Sequence, residues 1–460
     1  MSGALLNDVH SGLNATRVAE HVEVDSVQTV REAFDTARRT GRQVAVAGGM
    51  HAMGGQQFRA GGVVLDTRPL NGVQALDAER GVVEVAAGTT WTQLMHYLAA
   101  EGSGRWSVAQ KQSGVDRVTI GGSISANAHG RGLAMTPLVG DVESLAIVTP
   151  DGESRRCSRR QNTDLFALAI GGYGLFGVIV SVELRLRRRD ALARVVEIVP
   201  VDELVDSVTD RVEAGCVYGN AQLATDEGSS RDFLRRALLT SQRPAPSEVP
   251  APAARPPAHD WEGLLLLAHR DKAEAFRRLA EVQLATSGLI EGPDGHQLGE
   301  YADGYHERLD LELGSQVGGC EVTAELYVPP RRLADFLEDA ASDLRERGAD
   351  VIHANVRFVR ADIETYLPWA RGHVACVVFA IHTERTPDSL AASRTAVRAL
   401  IDLATARGGS FFLTYHCDAT GGQIKTAHPR FRDFLREKDE RDPEGLLGSD
   451  WLAHHRALIV

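Results

Sequence analysis

Long apolar runs are missing from this 460-residue chain. No stretch approaches the roughly 20 apolar residues that a bilayer-spanning helix needs. The opening MSGALLNDVHSG has neither a basic leader nor an apolar core, so no secretory signal is expected and the reading is cytoplasmic, with no membrane partner. Cysteine is sparse: five residues, at 157, 216, 320, 376 and 417, odd in number and without a C-x-x-C. That argues against a disulfide framework and against a structural zinc site. Positive charge is in deficit, 50 Lys and Arg against 62 Asp and Glu for a net −12, which argues against nucleic acid as a partner. The Walker A loop and the G-x-S-x-G elbow are also missing, and the glycine loop at 47–55 does not fit G-x-G-x-x-G. With 43% hydrophobic and 24% charged residues the chain is ordinary globular material, long enough for two domains. Nothing in it sets an oligomeric state.

Glycine, by contrast, is abundant. It makes up 45 of 460 residues, nearly one in ten, against an average of about 7%. The glycines gather in three places: AGGMHAMGG (47–55), TIGGSISANAHGRGLA (119–134) and AIGGYGLFG (169–177). Residues 26–41 predict an amphipathic helix, with Val27, Val30, Ala33, Phe34 and Ala37 on one face, Ser26 as its cap and Gly41 as its stop. A short strand then enters the first glycine loop, where a phosphate-binding loop is expected, because backbone N–H groups can gather around an anion only where no Cβ intervenes. A tight turn between strands is the plainer reading of the same glycines. Strands VVLDT and VVEVAAG, a helix at 90–101 and the strand SLAIVTPDG follow. After Arg189 the texture changes to longer helices and alternating strands. Residues 243–258 hold six of the 17 prolines and predict an exposed insertion. A charged helix and turn close the chain, and no internal repeat is visible.

The order of these segments resembles the flavin-binding domain of the vanillyl-alcohol oxidase family, the p-cresol methylhydroxylase-type FAD fold, over roughly residues 15–190. The resemblance implies an α+β protein: a two-subdomain FAD-binding domain (1–190), a substrate domain with an antiparallel sheet flanked by helices (191–415), and a segment (416–460) returning to the first domain. It implies that Ala47, Gly48, Gly49, Met50, His51, Ala52 and Met53 wrap the FAD pyrophosphate. Gly121, Gly122, Ser125, Asn127, His129 and Gly130 would lie along the flavin, and Gly177 and Ile179 on its other side. His51 stands where many members carry a histidine bonded covalently to the flavin, with Gly-Met before it and Ala after it where the family has G-x-G-H-S. No cysteine falls within 112–119, so a second link is not expected. His129, in NAHGRG, either has a chemical role beside the flavin or fixes a tight turn.

Strand periodicity places further polar residues together. In VIHANVRFV (351–359), His353, Asn355 and Arg357 share one face, against Ile352, Ala354, Val356 and Phe358. In CEVTAELYV, Glu321, Thr323, Glu325 and Tyr327 do the same, and in FFLTYHC Thr414 and His416 oppose Leu413, Tyr415 and Cys417. The plain reading is a solvated outer face. The segment VRFVRADIETYL resembles the strand in alditol and gulonolactone oxidases that carries an E-x-R pair. Arg357 matches the arginine, whereas Asn355 replaces the glutamate. His416 stands where that branch has H-W-x-K, whose tryptophan and lysine are missing here. His416, Cys417 and Asp418 alternate along a strand and could not converge on one ion, so no metal is expected.

The candidate catalytic set is therefore Arg357, Asn355, His416, Glu325 and His129, with FAD as cofactor, linked through His51. The reaction implied is hydride transfer to flavin N5 from a C–H next to an OH or NH of a small molecule. Molecular oxygen would be the acceptor and hydrogen peroxide the product. His416 or His129 would handle the proton, and Arg357 would hold an oxygen substituent. Two alternatives stand beside this. One is a natural-product tailoring enzyme performing oxidative cyclisation or desaturation. The other, of a different class, is a non-catalytic flavin-fold protein that binds a ligand.

Overall fold

The computed structural model describes residues 3–100, 104–249, 261–298 and 305–459. Among these, no helix is long and apolar enough to cross a membrane. Helices and sheets are mixed throughout, in keeping with an α+β chain.

Local chemistry sets the first elements. The helix Val27–Thr40 begins where the Ser26 side chain accepts from the Thr29 amide, and ends at Gly41 in the left-handed conformation. Its buried face is Val30, Ala33, Phe34 and Ala37; full burial of Phe34 alone stabilises by about 1.5–3 kcal/mol. It feeds a three-stranded parallel sheet in the order Glu20–Glu23, Val63–Asp66, Val44–Ala47. The fully buried Val63–Asp66 at its centre shows the continuous apolar run that parallel strands require.

A second, antiparallel sheet of six strands runs Ser154–Ser158, Val142–Val148, Val178–Arg188, Val82–Ala86, Val73–Asp77, with Trp106–Val108 pairing further along Val178–Arg188. The chain passes from this sheet to a third between Arg188 and Leu192. The third is antiparallel and eight-stranded: Ile290–Glu291, Leu192–Pro200, Arg236–Pro244, Tyr218–Leu223, Asp350–Val359, Val374–Glu384, Gly319–Val328, Ser410–Phe411. One face carries Val322, Ala324, Leu326, Ala354 and Val356 into a core shared with the helices Leu333–Glu346 and Pro387–Thr405. The opposite face looks toward the glycine-rich half.

Three expectations change here. The strand Asp350–Val359 carries a bulge between Val351 and His353, so Ile352 leaves the apolar face and joins the cavity side. The segment FFLTYHC is a strand only at Ser410–Phe411. Beyond it the backbone bonds to the glycine loop instead of a ladder: Met53 N donates to Thr414 O at 2.9 Å and Gln56 Nε2 to Leu413 O at 2.6 Å. The proline-rich stretch begins inside a strand, since Arg243 and Pro244 pair with Ala193 and Leu192, while residues 250–258 lie outside the described residues.

The last segment runs back onto the first sheet. Val44 N donates to Leu446 O at 2.8 Å and Asp450 N to Phe58 O at 2.8 Å. A buried ion pair, Lys438 with Asp442, anchors the turn, and Asp442 also accepts the amides of Leu446 and Leu447.

Candidate active site

Between the glycine-rich half and the eight-stranded sheet lies a cavity of about 950 Å³. One wall is main chain. Gly48, Gly49, Met50, His51, Ala52 and Met53 line it, as do Gly121, Gly122, Ser125, His129, Gly177 and Ile179. Close approach is the reason for glycine: a Cβ on Gly48 would collide with the Thr119 hydroxyl, and one on Gly121 would sit 2.8 Å from Ala87 Cβ. Met50 adopts φ 57°, a conformation costly for a side-chain-bearing residue. Among the described residues, the amides of Gly49 through Ala52 donate no hydrogen bond within the protein. They form a cradle suited to an anion such as a pyrophosphate. The loop opposite, 112–118, is shaped by Lys111, a buried lysine whose ammonium donates to Gln112 O, Val115 O and Asp116 Oδ1 at 2.8–3.0 Å.

His51 faces the cavity, and its Nδ1 lies 2.9 Å from His10 Nε2. Burial, then the neighbouring His10 and Arg117, hold its pKa down at about 3, which keeps the imidazole neutral. His10 is set by Asp8, whose carboxylate accepts the amides of His10, Ser11, Gly12 and Leu13. Neither residue was anticipated; the only sequence hint is the Asp-x-His-Ser-Gly turn chemistry at the start of the chain.

The other wall is made of side chains. Glu325, Asn355, Arg357, His353, Gln222 and Tyr415 face the same cavity. Glu325 is the hub. His129 Nε2 is 2.8 Å from Oε1, Tyr327 donates to Oε1 at 2.5 Å and Tyr415 to Oε2 at 2.9 Å. The other His129 nitrogen meets Gly130 O at 3.1 Å, so both ring nitrogens face acceptors. Burial pushes the Glu325 carboxyl up, but His129, Tyr327 and Arg357 outweigh it and hold the pKa at about 2. Tyr415 is pushed well above the usual phenol range, by burial first and then by Glu325, and stays a donor. Trp369 stacks on Tyr327 at 4.3 Å and closes the hub from behind. Asn355 Oδ1 and Arg357 Nε are buried without a partner, as is Thr414 Oγ1; all three residues border the cavity. Such orphans are what a polar ligand would satisfy.

Four expected site residues do not line this cavity. His416 is buried with both ring nitrogens unpaired, yet off the wall, and burial lowers its pKa. The turn after Phe411 brings Thr414 and Tyr415 to the wall in its place. Asn127 is a staple: its amide donates to Asp362 at 2.9 Å, its side-chain oxygen accepts from Val139 N at 3.0 Å, and its main-chain oxygen accepts from Trp369 Nε1 at 2.9 Å. Ala47 ends a strand and accepts from Thr67. Gly130 packs on Gln110 and Lys111 O. His96, on the helix Trp91–Ala100, also borders the cavity.

Comparison with known proteins places this architecture. Residues 19–158 match the FAD binding domain family. Cytokinin dehydrogenase 4 of Oryza sativa subsp. japonica is 31% identical over 186 residues, 39% of this chain and 34% of that protein. Decaprenylphosphoryl-beta-D-ribose oxidase of Mycolicibacterium smegmatis is 27% identical over 235 residues, 50% of each chain. L-gulonolactone oxidase of Mus musculus is 31% identical over 160 residues, 35% of each chain. These matches span a third to a half of the relatives' length.

Proposed function

We propose that the protein, whose residues 19–158 match the FAD binding domain family, is an FAD-dependent oxidase of a small molecule bearing a C–H next to OH or NH. The observation that carries this is the single cavity bordered both by the glycine cradle and by the Glu325 hub. FAD, when bound, supplies the two-electron acceptor, and oxygen its reoxidation with release of hydrogen peroxide. The amides of Gly49–Ala52 would hold the pyrophosphate, and neutral His51 would form a covalent link to the cofactor.

The sheet wall does the rest. Asn355 Oδ1 and Arg357 Nε offer an acceptor and a donor for substrate oxygen or nitrogen. The substrate hydroxyl would be positioned beside the Tyr415–Glu325–His129 chain, in which the tyrosine hydroxyl already donates to the carboxylate. His129 takes a proton-handling role there, and His416 takes none. Leu264, Leu265, Phe276 and Leu279 extend the cavity beyond this polar zone, which suits a substrate with an apolar portion.

The deciding experiment is the absorption spectrum of purified protein before and after acid precipitation, followed by anaerobic mixing with a panel of alcohols and amines. A yellow pellet marks a covalent flavin, a yellow supernatant a loose one, and a colourless protein defeats the proposal. Bleaching by a panel member identifies a catalyst. A flavin that binds the compounds and never bleaches makes the protein a ligand carrier.

A further inference from the structure

Four residues along the strand from Glu325, roughly 13 Å at about 3.3 Å per residue, a second glutamate borders the same cavity in different company. Glu321 stands directly opposite His382 on the neighbouring strand, and His382 opposite Asp350 on the next. Two helices lower histidines onto this row: His269 from Trp261–Arg270 and His306 from Tyr305–Leu313. His269 Nε2 is 3.8 Å from Glu321 Oε1, His382 Nδ1 is 3.7 Å from the same oxygen, and His306 Nε2 contacts Oε2. The His269 and His382 rings meet edge to face, 4.6 Å between centroids.

The two glutamates differ in how well their surroundings are satisfied. At Glu325 each oxygen already has a hydroxyl or imidazole donor, and both nitrogens of His129 have acceptors. At Glu321 the His269 side chain is 1% exposed and neither of its nitrogens has a hydrogen bond. A buried imidazole left so is costly unless something else meets it. One ligand atom each from His269, Glu321 and His382 lies within 4.8 Å of the other two. Tetrahedral coordination at about 2.0–2.1 Å needs ligand atoms roughly 3.4 Å apart, so the His269–Glu321 and His382–Glu321 separations need contract by only a few tenths of an ångström.

We propose that His269, His306, His382 and Glu321 bind one divalent transition-metal ion of the Zn2+ or Fe2+ class at the far end of the cavity. Imidazole with a single carboxylate suits these ions and not Ca2+ or Mg2+, which take oxygen shells. The ion would tie both helices to the sheet in a closed, four-ligand site. The reading is independent of flavin chemistry.

The test is metal content of the FAD-loaded protein after incubation with ZnCl2 and gel filtration. A parallel sample takes Co2+, whose tetrahedral absorption lies to the red of the flavin bands. Wild type should retain one equivalent. The double variant His269→Ala, His382→Ala should lose it, and the shape-preserving Glu321→Gln should bind at least tenfold more weakly, with flavin content unchanged in both. Wild type that retains no equivalent overturns the proposal, as does retention in the double variant. Loss of the ion on Cys376→Ser instead would place it at the His129–Glu325–Cys376 group and overturn the proposal equally.

Discussion

On the wall of the cavity formed by residues 48–179, main chain reaches the interior because side chains are missing; on the wall formed by residues 220–415, side chains reach it and the main chain is spent in a ladder. Glycine absence of Cβ makes the first wall a set of unpaired amides with little charge of its own. The second concentrates charge: Glu325 and Arg357 share one desolvated region. A cofactor that must be held through an anion and a substrate that must lose a proton place opposite demands on a protein. Here the two demands fall to different halves of the chain.

The comparison is tested most severely at Glu325. Glu325→Ala leaves His129, Tyr327 and Tyr415 without their common acceptor, and each buried donor left unsatisfied costs about 1–3 kcal/mol. Urea unfolding should show it; a loss under about 1 kcal/mol would mean that the hub is not a single electrostatic unit. Next comes Arg357→Ala, which should slow anaerobic flavin reduction by about a hundredfold, on the order of 3 kcal/mol, with full flavin content. Arg357→Lys should not restore the rate, since an ammonium lacks the planar paired donors of a guanidinium. Unchanged reduction in stopped flow would remove the arginine from the reaction.

The glycine wall should respond in binding and not in rate. In a His51→Ala background, which removes any covalent tether, Gly48→Ala should weaken FAD retention on dialysis by about tenfold, near 1.4 kcal/mol, because the added Cβ displaces Thr119. Equal retention would mean that the loop does not grip the cofactor. The smallest effect is expected at Asp141, which accepts from Gln110 at 2.9 Å and which burial pushes up to about 6. An acid whose pKa is higher folded than unfolded loses stability as pH rises from about 4 through 6. Asp141→Asn should therefore raise the melting temperature at pH 8, by about 1 kcal/mol of stability, and change nothing below pH 4. A variant equally stabilised at both pH values would show that charge is not the cause.

Legibility in the sequence divides along the same line. Glycine pairs after a strand are visible in one dimension, because the amides of the cradle are consecutive in the chain; the residues that brace Gly48 to Met53, namely Thr119, Arg117, Val9, His10 and Thr414, are not. The face carrying Asn355 and Arg357 followed from period-two alternation, which a ladder enforces. Alternation failed where tertiary contacts replaced the ladder. The bulge at Ile352 turned one apolar residue around, and the bonds from Met53 and Gln56 to residues 413–414 ended a strand early, exchanging His416 for Tyr415. Nothing local marked the helix-borne His269, whose neighbours Glu321 and His382 lie far away in sequence.

The sequence alone determined the polar stripe of the second half, since alternation is a short period, and the order of its glycine motifs carried the resemblance that implied a flavin-binding first half. Only the tertiary structure decided which carboxylate serves which histidine. Glu321 and Glu325 occupy equivalent positions in one alternating strand. They part company only because His129 arrives at one from the glycine half, while His269 and His306 descend on the other from helices more than ten residues away, and charge pairing acts through space and not along the chain.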